Sequence, residues 1–227
     1  LLGVGASQMY KAETPGPLKD TKLTPRIAET ARALWVVYVG LSVACTLAYR
    51  AAGMGWADAF MHMCSTMGLG GFSSHDASMG HFQSAAIESV AIVFMLIAGV
   101  NFARYFVVWR TRSLKPLLRC VETRTYLLVL AASIALISMY LLAHDEYGTA
   151  MEAFRHTAFH VVSLATTTGY ASTDYAQWPL FAPMMMILLG CFAGCAGSTA
   201  GGIKMVRMLL MIKQARHELV RIVHPRA

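Results

Sequence analysis

Charged residues are scarce in this chain. Only 14% of its 227 residues are Asp, Glu, Lys or Arg, whereas 56% are hydrophobic. A typical soluble domain has about 25% charged residues. The deficit, together with 15 methionines and several long apolar runs, indicates a membrane protein rather than a soluble one.

The sequence also lacks the usual cysteine motifs of metal and redox sites. Its five cysteines form no CxxC pair and have no histidine framework nearby. Cys191 and Cys195 are four residues apart, but Phe192 and small residues separate them. We therefore interpret the cysteines as small buried apolar side chains.

No apolar core of a signal peptide is visible at the start of the chain. Residues 1–30 are polar and include Lys11, Lys19, Lys22 and Arg26. A secretory signal needs about 7–15 consecutive apolar residues. Because the first residue is Leu1 rather than Met, we expect a fragment of a longer protein.

Four segments are long and apolar enough to cross a bilayer, which takes about 20 residues. They are 33–52, 85–109, 126–143 and a fourth that begins at 180, is interrupted at 190–202 and resumes to 214. One short apolar stretch lies between the first two spans, and another lies between the last two. Each has about 10–15 residues, a length that suits a re-entrant segment.

Basic residues flank the predicted spans asymmetrically. They cluster before the first span, between the second and third, and after the interruption of the fourth, and only Arg50 and Arg155 fall elsewhere. The positive-inside rule then places both termini and the middle linker in the cytoplasm, with the re-entrant segments opening outside. The formal net charge of +7 is thus a topology signal. It disfavours nucleic-acid binding, because the charges do not form one face.

The two re-entrant segments are related by an internal repeat. When Gly71 is placed on Gly169, the segments align without a gap at an offset of 98 residues. The residues that then coincide are His62 with His160, Ser65 with Ser163, Phe72 with Tyr170, Ser74 with Ser172 and Asp76 with Asp174. We predict two parallel repeats of span, short helix, loop and span, related about an axis normal to the membrane.

Each loop has the composition of an ion filter. Irregular backbone at membrane depth must be buried in protein or line a watery cavity. Gly70, Gly71 and Gly169 allow backbone angles closed to other residues, so that successive carbonyls can replace the hydration shell of a monovalent cation. The short helices would contribute their partially negative C-terminal ends, and Asp76 and Asp174 would form an acidic outer vestibule. The alternative for each loop is an ordinary turn between helices.

Five stretches carry a resemblance to a known family: QMYKAETPGPLKDTKLTPRIAETARALW, GGFSSHDASMG, AGVNFARY, TTTGYASTDYAQWP and GCAGSTAGGIKMVR. On these stretches the chain resembles, essentially end to end, the potassium-uptake subunits of the Trk/Ktr/HKT superfamily, most closely its bacterial Trk branch. Members look like four M1–pore helix–M2 repeats in one chain, arranged like a tetrameric K⁺ channel.

The resemblance implies an all-α polytopic membrane protein that holds two of the four repeats, the second and the third. Residues 1–32 would be a cytoplasmic linker after a missing first repeat, and 33–112 would be the second repeat. Residues 113–123 would form a cytoplasmic linker, and 124–227 the third repeat. The last helix would be broken by an intramembrane gate loop at 190–203.

The resemblance also implies that the chain supplies two quadrants of a selectivity filter, with K⁺ bound at filter residues alone. The candidate ion-binding residues are Leu69, Gly70, Gly71 and Phe72 in one quadrant and Thr167, Thr168, Gly169 and Tyr170 in the other. The first quadrant departs from the Thr-rich pattern, since Gly68 and Leu69 replace hydroxyl residues. Neither loop has the second glycine of a K⁺-channel GYG sequence. Coordination by the backbone would survive both departures.

The glycine-rich interruption of the fourth span predicts an unwound segment. Five glycines lie within 190–202, and each costs about 1 kcal/mol relative to Ala in a helix. The spacing does not match a phosphate-binding loop, and no strand precedes it. Close packing of small residues between helices is the alternative. By the resemblance the segment is a gate under the filter, with candidate residues Gly194, Ala196, Gly197, Ser198, Thr199, Gly201, Gly202 and Lys204.

Several polar residues near the spans have more than one interpretation. Lys204 would repel cations, pair with another part of the pore, or extend to the membrane interface. Asn101 would face an inner cavity or form an interhelical hydrogen bond. Glu88 would be a cavity carboxylate, pair with Arg155, or face solvent. His62 and its repeat mate His160 suggest structural partners of the short helices or interfacial aromatic side chains.

The implied function is potassium uptake across the bacterial inner membrane, without covalent chemistry, either passive or as a symport with H⁺ or Na⁺. The implied partners are the lipid bilayer, a second copy of the complete subunit, and a TrkA-like nucleotide-binding regulatory subunit on the basic inner face. No cofactor is expected, since the chain has no convincing nucleotide motif. The alternatives are a two-repeat channel that dimerises and a non-conducting membrane scaffold. An intramembrane enzyme is disfavoured, because no catalytic pair falls at repeat-related positions.

Overall fold

The computed structural model describes residues 27–223, and the regular elements in this range are helices. The α-helices of this range are α1 (Ile27–Ala51), α2 (Trp56–Gly68), α3 (Ala85–Ala98), α4 (Phe102–Thr111), α5 (Lys115–Leu118), α6 (Val121–Ala143), α7 (Ala150–Ala165), α8 (Phe181–Gly190) and α9 (Met205–Val223). Short 3-10 helices follow each loop, at Ser78–Phe82 and Tyr175–Gln177. Most of the predicted linker 1–32 lies outside the described residues.

Two of the described helices are long and apolar enough to cross a membrane, namely the Ala31–Ala51 part of α1 and all of α6. A third span is formed if α3 and α4 are counted as one bent element. α1 leaves large apolar side chains such as Trp35, Val39 and Val43 exposed, as a helix that faces lipid does. The all-helical fold and these helices agree with the membrane protein predicted from composition.

The second predicted span differs from the expectation of one helix over 85–109. It divides into α3 and α4, which meet at an angle of 91°. Gly99 lies directly against the hydroxyl of Tyr126, where a larger residue would collide. Asn101 then starts α4, because its Oδ1 accepts a hydrogen bond from the backbone N–H of Ala103 at 2.8 Å. A glycine followed by a good N-cap residue therefore explains the break.

The short helices α2 and α7 begin differently but pack in comparable ways, since no side chain caps the start of α2. α7 starts at a capping sequence in which the Thr149 hydroxyl accepts from the backbone N–H of Glu152 at 3.3 Å. α2 packs against α1 and α3, and α7 packs against α6 and α8. Contacts between α3 and α7 join the two repeats.

An ion pair strengthens the contact between the repeats. The guanidinium of Arg155 on α7 donates two hydrogen bonds to Glu88 on α3, at 2.6 and 2.9 Å. The Glu88 side chain is 4% exposed and that of Arg155 is 33% exposed. Of the three interpretations of Glu88, the structure therefore supports the pairing with Arg155.

Candidate functional site

The two predicted filter loops leave their short helices through the same turn. In the first, the backbone N–H of Leu69 donates to Thr66 and that of Gly70 donates to Ser65, at 3.2 and 2.8 Å. In the second, Thr167 donates to Leu164 and Thr168 to Ser163, at 3.0 and 2.8 Å. Every donor and acceptor keeps the offset of 98 residues. The sequence repeat is thus also a repeat of backbone hydrogen bonds.

Both loops also share an alternation of backbone angles. Leu69 and Gly71 have φ values of 52° and 70°, and their repeat mates Thr167 and Gly169 have values of 62° and 86°. A left-handed conformation costs a non-glycine residue about 1–2 kcal/mol. Such strain at two repeat-related positions is typical of a functional loop. Gly71 and Gly169 thus have the glycine-specific backbone angles predicted from sequence, whereas Gly70, which the prediction also named, does not have a positive φ.

Most carbonyl oxygens of the two loops accept no hydrogen bond from the described part of the chain. Within residues 27–223, none of the hydrogen bonds ends on the carbonyl of Leu69, Gly70, Gly71, Thr167, Thr168 or Gly169. Leu69 and Thr168 are buried, whereas Gly70 and Gly169 are exposed. The two repeat-related loops therefore present six carbonyl acceptors that have no hydrogen-bond partner among the described residues.

The two loops lie side by side. A Cβ atom at Gly71 would collide with the carbonyl oxygen of Thr168 in the other loop. Further out, the backbone N–H of Gly80 donates to Ala171 at 3.2 Å. The sequence predicted that both loops would face one cavity, and the structure brings them into contact.

The paired histidines His62 and His160 each connect a short helix to the residues that follow its loop. The Nδ1–H of His62 donates to the Asp58 carbonyl, and its Nε2 accepts from the Ser73 hydroxyl, at 2.8 and 2.9 Å. His160 repeats the first contact to His156 at 2.8 Å, and its Nε2 accepts from the backbone N–H of Ser172 at 3.3 Å. Both side chains are buried. They are structural partners of the short helices, one of the two roles considered from sequence.

The aromatic residues that end the two quadrants have different environments. Tyr170 is buried, and its hydroxyl lies 3.3 Å from the Thr66 hydroxyl and donates to the His62 carbonyl at 3.2 Å. Its own carbonyl accepts from Ser163 at 2.7 Å, so this oxygen is less available than the others in the loop. Phe72 is 81% exposed. The second loop is thus anchored against the first short helix.

The carboxylates predicted for the outer vestibule are exposed, but one of them also has a structural role. Asp76 is exposed. Asp174 caps the second 3-10 helix, since its Oδ1 accepts from the backbone N–H of Ala176 at 3.1 Å. Asp58, which the prediction omitted, lies beside this region. A hydrogen bond from Ser74 and the nearby His75 lower the pKa of Asp58, which favours its charged form.

The glycine-rich segment, residues 190–203, forms a loop whose two ends are joined by backbone hydrogen bonds. The backbone N–H of Ile203 donates to the Cys191 carbonyl, and that of Met205 donates to Gly194, both at 2.7 Å. Gly202 has a φ of 71°, and a Cβ there would come within 2.8 Å of the carbonyl oxygens of Gly190 and Cys191. The predicted interruption of the fourth span is therefore an unwound loop between α8 and α9.

This segment contacts the inner ends of both filter loops. The Thr199 hydroxyl donates to the carbonyl of Met67, at the end of α2, at 3.0 Å. The backbone N–H of Gly201 donates to the Thr167 hydroxyl at 2.7 Å. One short segment is thus hydrogen-bonded to the last turn of the helix before the first loop and to the second loop itself.

The bend between α3 and α4 holds the other side of the segment. The backbone N–H of Cys195 donates to Gly99, and that of Phe102 donates to Gly197, both at 3.1 Å. The Asn101 side chain caps α4 and packs against Gly197. It therefore contacts the glycine-rich segment, and its hydrogen bond lies within α4 rather than between two helices. Within the segment, Ser198 donates to the Cys195 carbonyl at 2.7 Å, and Lys204 donates to the Ala200 carbonyl.

Sequence reasoning missed Glu122 as part of this site. Glu122 lies in the first turn of α6 and is 6% exposed. Its Oε1 accepts a hydrogen bond from the backbone N–H of Ala196 at 2.7 Å. In sequence it reads as an ordinary acidic residue at a helix start, and the distance of 74 residues to Ala196 leaves no local signal.

Comparison with known proteins places the chain in a family. The sequence profile of TrkH, described as a cation transport protein, matches residues 1–227. The chain belongs to the TrkH family of cation transport proteins. This agrees with the resemblance found in the sequence, and a cation transport family is not a family of enzymes.

Individual members of the TrkH family support the assignment. The chain is 47% identical over 226 residues to the Trk system potassium uptake protein TrkH of Halomonas elongata and 46% identical over 227 residues to that of Escherichia coli K12. Each alignment covers 100% of this chain but only 47% of the relative. The chain therefore spans about half the length of the curated relatives it matches.

A solved structure shows that the fold is shared. The crystal structure of the potassium transporter TrkH from Vibrio parahaemolyticus superposes with a TM-score of 0.88 at 40% sequence identity. The match covers 97% of this chain and 47% of that chain. The helical membrane fold with K⁺-channel-like repeats is thus common to both.

Proposed function

We propose that the protein containing this chain takes up potassium ions through a pore, and that this chain forms two quadrants of its filter. The observation that carries the proposal is the set of six unpaired carbonyls on two adjacent, repeat-related loops. Rings of such carbonyls replace the hydration shell of K⁺. The ligands are backbone oxygens of residues 69–71 and 167–169, with the Phe72 and Tyr170 carbonyls as weaker candidates.

The surroundings of the loops favour cations over anions. α2 and α7 each end at a loop, and the C-terminal end of a helix carries a partial negative charge of about half an elementary unit. The carboxylates of Asp58, Asp76 and Asp174 lie at the outer side of the same loops and would concentrate cations there. No covalent chemistry and no cofactor are needed for this function.

The glycine-rich segment is the gate of this pore. Its contacts with Met67 and Thr167 support a position directly beside the inner ends of both loops. Its glycines allow another backbone path when those contacts break, because glycine accepts a wide range of angles. A change in the segment would therefore open or close the route that leads to the filter.

The remaining parts of the proposal concern the complete protein. The domain divisions 33–112 and 124–227 are two repeats of a larger pore, and the names of the relatives, potassium uptake proteins of a Trk system, agree with this interpretation. The protein lies in the bacterial inner membrane with the basic linkers in the cytoplasm. A second copy of the subunit and a TrkA-like nucleotide-binding regulator on the basic face are the proposed partners.

Uptake of ⁸⁶Rb⁺ into proteoliposomes that contain the full-length protein tests the function. A Cβ atom added at Gly169 meets no atom within 4 Å, so the Gly169→Arg variant brings a positive charge into the loop without a collision at Cβ. We expect uptake to be lost. Gly53→Arg is a matched control, because Gly53 also has a positive φ, of 110°, and open space, but lies in the turn between α1 and α2.

Two results would contradict the proposal. Normal uptake by the Gly169→Arg variant would show that the loop does not line the route. No uptake by the unmodified protein, in liposomes where it is folded, would favour a non-conducting scaffold.

A further inference from the structure

Glu122 is a buried carboxylate that the proposed pore does not use as an ion ligand. It lies at the start of α6, and its Oε1 is bonded to the backbone N–H of Ala196, in the middle of the glycine-rich segment. Val206, in the first turn of α9, lines the same cavity as this carboxyl group. One side chain thus links α6 to the segment and lies beside the helix that follows it.

The bond from Ala196 to Glu122 differs in kind from the other attachments of the segment. The hydrogen bonds described above to Gly99, Phe102, Met67 and Thr167 join neutral groups. The acceptor at Glu122 is the carboxyl group of a side chain that is only 6% exposed, and Arg104 lines the cavity beside it. Breaking this bond leaves the buried backbone N–H of Ala196 without its acceptor, which costs about 1–3 kcal/mol.

The surroundings allow this bond to be broken without unfolding the core. A cavity of about 470 Å³ adjoins the carboxylate, and its lining includes Arg104, Arg119, Glu122 and Val206. The carboxylate can therefore turn toward water and toward the guanidinium groups when Ala196 moves away. Because Val206 belongs to α9, a displacement of α9 would act on the same contact.

We propose that Glu122 is the positioning residue that latches the glycine-rich segment in its place beside the filter, and that release of this latch frees the gate. The inference rests on the proposed function of the segment as a gate. It assigns to α6 a role in gating, through one hydrogen bond, in addition to its role as a membrane span.

Hydrogen–deuterium exchange of the full-length protein tests the latch directly. In the Glu122→Ala variant we expect amide exchange in peptides that cover residues 191–206 to accelerate by roughly 10- to 100-fold, the range for a buried donor that loses its acceptor. Glu122→Gln keeps an acceptor oxygen without the charge, so a smaller acceleration is expected. The control is Glu29→Ala, since Glu29 is an exposed acid in the first turn of α1.

Uptake of ⁸⁶Rb⁺ by the same variants tests the consequence for the gate. We expect faster uptake in Glu122→Ala and an intermediate rate in Glu122→Gln. Unchanged exchange in Glu122→Ala would overturn the latch. If that variant does not fold, unchanged exchange in Glu122→Gln would overturn it instead. Faster exchange with unchanged uptake would overturn its role in gating. If the unmodified protein conducts no ions, the proposed function fails, but the exchange experiment still measures the latch.

Discussion

Alanine substitutions at the two filter glycines provide a matched test of the loop geometry. Gly71 and Gly169 have φ values of 70° and 86°, so an alanine at either position bears the left-handed strain of about 1–2 kcal/mol. Only at Gly71 would the new methyl group collide with backbone, namely the carbonyl of Thr168. At Gly169 it would meet no atom within 4 Å.

The difference between the two variants can be estimated. Overpacking that forces backbone to move costs about 1–3 kcal/mol, so Gly71→Ala should destabilise the protein by about 2–5 kcal/mol in total. Gly169→Ala should cost about 1–2 kcal/mol. The collision also displaces the Thr168 carbonyl, one of the proposed K⁺ ligands. We therefore expect Gly71→Ala to lose most of its uptake of ⁸⁶Rb⁺, while Gly169→Ala keeps a substantial part.

The measurements are thermal unfolding of the purified full-length protein in detergent and uptake of ⁸⁶Rb⁺ into proteoliposomes. Equal melting temperatures and equal uptake for the two variants would refute the reasoning, because the backbone strain is common to both and only the contact between the loops differs. Greater damage from Gly169→Ala would refute it more strongly.

Three further predictions follow from other contacts. Glu88→Gln should lower the free energy of unfolding by about 3 kcal/mol, because it leaves the Arg155 guanidinium without its partner. The double variant Glu88→Gln/Arg155→Gln should recover part of this loss, measured by a double-mutant cycle on unfolding. Gly202→Ala should disturb gating, measured by ⁸⁶Rb⁺ uptake, more than Gly197→Ala, because its methyl group meets backbone rather than a movable side chain. Equal effects would contradict this. Thr199→Val should weaken the attachment of the segment by about 1 kcal/mol and raise uptake roughly fivefold; unchanged uptake would argue against the contact with the filter.

The features that the sequence predicted correctly depend on two patterns that can be read from the sequence, an internal repeat and a cluster of glycines. The repeat at an offset of 98 residues placed Gly71 and Gly169 at positive φ, and it paired His62 with His160 behind the loops. Glycine density located the unwound segment, since a cluster of glycines disfavours a helix wherever it occurs. Each signal is carried by residues of the feature that it predicts, even where the repeat relates segments 98 residues apart.

The features that the sequence did not predict depend on long-range contacts. The bend at Gly99 was missed because AGVN lies inside an apolar run, and hydropathy does not register a right-angled turn. Phe72 and Tyr170 look equivalent in sequence, yet one is exposed and the other is buried against Thr66. Glu122 gave no signal, because its partner Ala196 is 74 residues away.

The most direct test of the central claim is to locate the ions in a crystal structure of the full-length protein grown in Rb⁺. We expect anomalous density between the two loops, within bonding distance of the carbonyl oxygens of residues 69–71 and 167–169. Density that lies elsewhere along the route, with none at these carbonyls in protein that transports ⁸⁶Rb⁺, would contradict the assignment of the loops as the filter.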